Sequence, residues 1–158
     1  MAKVGRAAFA ASRARLEIVS ADKTINKNES GEVYGIDAGG AVDITLPTDP
    51  ESGTRYKFMI IDDVTGGTVK ITASSTNPFQ GGLLHVDTNT PDEDDGSGET
   101  TQIIAVPVNA DGDAANDDVL TMAADTKQGS YVVCIYDNAN SRWLVEGLVM
   151  ADTAPTFA

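Results

Sequence analysis

The chain has 158 residues but only one cysteine, one histidine and one tryptophan. Each scarcity excludes something. A lone Cys134 closes no internal disulfide, so this is not a disulfide-stapled secreted scaffold. With His85 as the single histidine, no zinc spacing and no H-E-x-x-H pattern can be built, and the Walker loop, the dinucleotide fingerprint and G-x-S-x-G are missing too. Lys and Arg number 11 against 24 Asp and Glu, a formal net charge of -13. A body so poor in cations is unsuited to nucleic acid, whose phosphates must be neutralised by clustered Lys and Arg. No apolar run approaches the roughly 20 residues of a membrane-spanning helix. A chain of this length buries roughly 70% of its unfolded surface and needs neither disulfide nor metal for a core, so one domain without a cofactor is expected.

The charge that is present is unevenly placed. Residues 1–15 carry Lys3, Arg6, Arg13 and Arg15 with no acid, a charge of +4, which leaves 7 basic and 24 acidic residues, or -17, for the rest. The sequence therefore divides into a basic arm over 1–16 and a single β-rich domain over 17–158. The apolar run Ala7 to Ala11 is too short for a signal peptide, and Arg13 and Arg15 stand where a cleavage region would be. An organelle transit peptide and a plain disordered terminus are the alternatives to an arm that orders on a partner surface.

Past the arm, apolar residues alternate with polar ones, and Gly, Pro, Asp, Asn and Ser interrupt every 8 to 20 residues. Such spacing predicts short strands of an antiparallel β-sandwich or a jelly-roll or barrel-like module. Val42, Ile44 and Leu46 define one strand, ended by Pro47. Tyr56, Phe58 and Ile60 define the next, and Gly66-Gly67 reads as a hairpin turn before Val69 and Ile71. Further strands are expected over 102–108, 119–123, 130–136 and 142–145. The last two form a hairpin through Asp137-Asn138-Ala139-Asn140, with Trp143 as a half-buried cross-strand packing residue.

Two acidic loops, 87–101 and 109–118, are too polar to pack. Their carboxylates could gather a hard cation. Neither fits an EF-hand: starting at Asn109 puts Ala114 at the glycine position and Leu120 at the bidentate glutamate. No catalytic residue emerges. His85 follows Leu83 on one face of a strand and reads as a packed or interface histidine, and Cys134 between Val133 and Ile135 reads as a small buried hydrophobe. No nucleophile has a base and an orienting acid, and the loop carboxylates are hydrated, so the chain is expected not to be an enzyme.

Several segments nevertheless carry a resemblance. They are Ser20-Ala21-Asp22-Lys23-Thr24-Ile25-Asn26, Glu29-Ser30-Gly31-Glu32-Val33-Tyr34, Asp43-Ile44-Thr45-Leu46-Pro47, Gly53-Thr54-Arg55-Tyr56-Lys57-Phe58, and the closing stretches 129–137 and 140–147 with their W-x-V-x-G pattern. Together they cover roughly half the chain. This set resembles small virion proteins of tailed bacteriophages, of the capsid decoration (cement) or head-fibre type. The resemblance implies a structural protein assembled in the bacterial cytoplasm and seated on the virion capsid surface, often as a homotrimer, with the major capsid protein as partner and no role for nucleic acid or membrane. Residues 77–118 depart from the pattern. Arg6, Arg13 and Arg15 are the candidate capsid contacts for carboxylates, with Phe9 as an apolar anchor. The rival readings are a tail or head-fibre part, a glycan- or receptor-binding module presenting Trp143, Tyr34 or the acidic loops, and a hydrolase of surface polymers.

Overall fold

In the computed structural model, residues 16–88, 102–108 and 117–158 are described. They form an all-β sandwich of two mixed sheets. In chain order the strands are β1 (Leu16–Val19), β2 (Lys23–Thr24), β3 (Val33–Ile36), β4 (Val42–Thr45), β5 (Arg55–Ile60), β6 (Val69–Thr72), β7 (Phe79–Asp87), β8 (Ile103–Pro107), β9 (Val119–Met122), β10 (Tyr131–Asp137), β11 (Arg142–Ala151) and β12 (Thr156–Phe157). The large sheet has the order β1-β3-β5-β10-β11-β7-β8 and the small one β12-β9-β6-β4-β2.

The first six strands alternate between the sheets, so each crossover connection in one layer is a strand of the other. β1, β3 and β5 run parallel in the large sheet, and β2, β4 and β6 run parallel in the small one. The chain thus winds as a short two-layered coil before β10 and β11 close the large sheet as an antiparallel hairpin. This corrects the expectation of antiparallel pairing. Five of the ten strand pairings are parallel, and among the described strands both sheets have open edges, unlike a closed barrel. Gly66-Gly67 is likewise no hairpin, because β5 and β6 lie in different sheets. The glycines serve a different constraint: loops of successive windings stack backbone on backbone. A Cβ on Gly67 would lie 2.1 Å from the Ala41 nitrogen, and the Val42 N–H donates to the Thr68 carbonyl at 3.0 Å beside it.

Leu16, the last residue assigned to the arm, pairs with Val33 at the start of β1. The motif residues that carry the resemblance hold this coil together. Asp22 accepts the Asp43 N–H at 2.9 Å. Lys23 bonds Glu17 at 2.9 Å and Glu29 at 3.4 Å, and the hydrogen bond to Glu17 chiefly raises its pKa. Between the sheets runs a chain of rings from Phe58 through Tyr34 and Tyr56 to Trp143 and Tyr136, with successive centroids 5.5, 6.3, 5.8 and 5.2 Å apart. Trp143 pairs with Tyr136 across the hairpin as expected, but it is fully buried rather than half-buried. Two polar tips of this chain find partners: the Tyr56 hydroxyl donates to the Asn26 carbonyl at 3.1 Å, and that of Tyr136 to Asn77 Oδ1 at 3.0 Å, whereas the Tyr34 hydroxyl and Trp143 Nε1 have no hydrogen-bond partner among the described residues.

Candidate interaction surface

The two outer faces of the sandwich differ. On the small sheet the core-facing residues Val42, Ile44, Val69, Ile71, Leu120 and Met122 are buried, and they alternate with Asp43, Thr45, Lys70, Thr72 and Thr121 on the outside. That face is polar and suited to water. On the large sheet the inward row of Tyr56, Phe58 and Ile60 is backed by an outward row of Lys57, Met59 and Ile61. The same doubling occurs on β10, where Val132, Cys134 and Tyr136 point in and Tyr131, Val133 and Ile135 point out. Ile18 and Ile61 come together over Gly35, whose absent Cβ would meet them at 3.2 to 3.3 Å. Every large exposed hydrophobic residue among those described belongs to this sheet: Leu16, Ile18, Leu84, Ile103, Ile104 and Leu144, at 42 to 70% exposure. All but Ile104 lie on its outer face, in register with the outward rows. Exposed apolar residues gathered on one face of so acidic a protein are the mark of an interaction site.

Toward its β8 edge this face carries an open groove of about 480 Å³ bounded by Gly82, Leu84, Pro107, Tyr131 and Glu146. Gly82 on its floor has no side chain, and a Cβ there would stand 2.7 Å from the Val106 carbonyl oxygen. Lys57 lies across the face with its Nζ 4.9 Å from the Tyr131 ring centroid, a cation–π contact that holds the ammonium against an apolar floor.

The candidate chemistry of the sequence resolves as follows. His85 is buried, and its Nε2 donates to the Ala151 carbonyl at 2.9 Å, which makes it the packed histidine expected. Cys134 is buried, and desolvation pushes its thiol well above the usual range. Tyr34 and Trp143 are both fully enclosed, so the aromatic platform of a glycan-binding reading is not at the surface. Burial likewise raises the Tyr56 hydroxyl to about 12. Among the described residues no group of three or more His, Cys, Asp or Glu is arranged to hold a metal. Arg6, Phe9, Arg13 and Arg15 lie outside the described residues, as does most of both acidic loops.

The apolar face was missed in the sequence, although its signal is there. Strands of the large sheet contain unbroken apolar runs such as Tyr131 to Tyr136 and Ile103 to Val106, the pattern of strands covered on both faces. The sequence matches no protein-family model and no curated protein.

Proposed function

We propose that the chain is a structural virion protein, a capsid decoration or cement protein that binds the outside of a phage head and stabilises the expanded lattice. The observation that carries this reading is the division of the sandwich into one polar and one apolar outer face, which suits a module fixed to other protein on one side and bathed in water on the other. The charge of -17 after residue 15 keeps a densely coated particle self-repelling and soluble, while the basic arm supplies Arg6, Arg13, Arg15 and Phe9 to the major capsid protein. A ligand that binds only the expanded shell stabilises it by mass action, and attachment across several subunits adds avidity. The motif residues described above tie the windings of the coil together and fill its core.

The test is attachment to expanded heads that lack this protein, read by electron microscopy. The full chain should decorate the shell in several hundred copies, and a form lacking residues 2–15 should stay folded but fail to attach. Full attachment by the truncated form refutes the role given to the arm. A complement of about six or twelve copies at one vertex refutes decoration and assigns a tail or connector part.

A further inference from the structure

We infer that two copies of this chain pair face to face through the outer surface of the large sheet, about a two-fold axis that runs along β10. β10 is the middle strand of the seven. Val133 on it is in register with Lys57 of β5 on one side and with Glu146 of β11 on the other. These three outward residues form a row with a cation at one end, an anion at the other and an apolar centre, Val133, that its neighbours already cover to 3% exposure. Two strand spacings, about 10 Å, separate the ends at the backbone. Neither Lys57 nor Glu146 is in an ion pair among the described residues. A two-fold rotation about β10 places Lys57 of each copy over Glu146 of the other, the self-complementarity an isologous interface requires. The ammonium would enter the groove that Glu146 borders.

The neighbouring row obeys the same symmetry. Met59, Tyr131 and Leu148 are in register, so the rotation sets apolar ends on apolar ends. In the row Arg55, Ile135 and Leu144, the Arg55 stem covers Leu144 while its guanidinium reaches past it to water. The extent is also sufficient. Seven strands at about 4.8 Å spacing, with a mean length near 20 Å, make a face of roughly 600 Å² in projection, comparable with the about 800 Å² of accessible surface that each partner buries in a standard interface. Within its strands the face bears Arg55, Lys57 and Arg142 against Asp137 and Glu146, three positive charges against two negative, or +1. The contact therefore brings together the part of the molecule that does not share its acidity.

This pairing occupies the apolar face that attachment to a head would also use, so it is a property of the free chain that attachment must undo, and it differs from the homotrimer that the resemblance implies. Sedimentation equilibrium of the full chain in about 0.15 M salt should give a mass of about 33 kDa, twice the 16.5 kDa of one chain. K57E and E146K should each raise the dissociation constant about tenfold or more, because each sets like charges opposite one another twice per dimer. The double variant K57E/E146K should return it to within about threefold of the parent. Near-UV circular dichroism checks that each variant keeps its fold, and Leu144→Glu at another point of the face should also dissociate the pair. A monomer, a trimer, single variants that pair normally, or a double variant as weak as the single ones overturns the inference.

Discussion

The stacking of successive windings can be tested at two adjacent glycines, which the coil and a hairpin treat in opposite ways. Gly66 has a φ of +77° and open space around its missing side chain, the nearest atom being the Gly39 carbonyl oxygen at 3.7 Å. Gly66→Ala therefore introduces only left-handed backbone strain, about 1 to 2 kcal/mol. Gly67 is in the reverse position. Its backbone accepts an L residue, but a Cβ there would lie 2.1, 2.4 and 2.7 Å from the Ala41 nitrogen, the Gly40 carbonyl carbon and the Ala41 Cα. These are backbone atoms with no rotamer to escape into, so the two loops must part by about 1 Å. That movement sacrifices the hydrogen bond from Val42 to Thr68, about 1 kcal/mol, in addition to overpacking of about 1 to 3 kcal/mol. The expected loss for Gly67→Ala is about 3 kcal/mol, or roughly 6 to 12 °C in Tm for a chain of this size. Urea unfolding followed by Trp143 fluorescence measures both, because the single tryptophan lies in the core between the sheets. If Gly67→Ala is no more destabilising than Gly66→Ala, the loops are not stacked and the parallel coil is wrong.

Two further expectations concern the ring chain between the sheets. Trp143→Ala removes the ring that links Tyr56 to Tyr136 and should destabilise the fold by about 3 to 5 kcal/mol, with collapse of the near-UV circular dichroism; a loss under about 1 kcal/mol would contradict its full burial. Alkaline stability follows from Tyr56, whose hydroxyl is raised to about 12 by burial against about 10 in the unfolded chain. A group whose folded pKa is raised contributes stability that is complete below the unfolded pKa and is lost as pH rises through the folded one. The urea midpoint should therefore fall between about pH 10 and pH 12, less steeply in Tyr56→Phe than in the parent, and parallel curves for the two would show that Tyr56 does not drive the loss.

Much of the fold was legible. The strands around Val42, Phe58, Ile71, Leu120 and Val133 were readable from alternation and turn residues, and the hairpin through Asp137 was readable from its Asx chemistry. There Asp137 accepts the Ala139 N–H at 2.9 Å and the Asn140 side-chain amide at 2.6 Å. His85 and Cys134 lie in the core, as an apolar context implies. Pairing direction was not legible, because period two fixes which side of a strand is apolar and says nothing of which strand lies beside it. A Gly-Gly pair marks a place where side chains are excluded. Whether the cause is a tight hairpin or a neighbouring loop depends on residues 26 positions away, such as Ala41 against Gly67.

By itself, then, the sequence determined an acidic all-β chain with a basic beginning, because composition and local periodicity are properties of the covalent order alone. The tertiary structure decided how its strands are partnered and what they leave uncovered. Lys57, Val133 and Glu146 are far apart in sequence and carry no shared motif. Only the meeting of β5, β10 and β11 in one sheet turns them into a row with opposite charges at its ends on an apolar face, and that face is where this protein's association with others is to be sought.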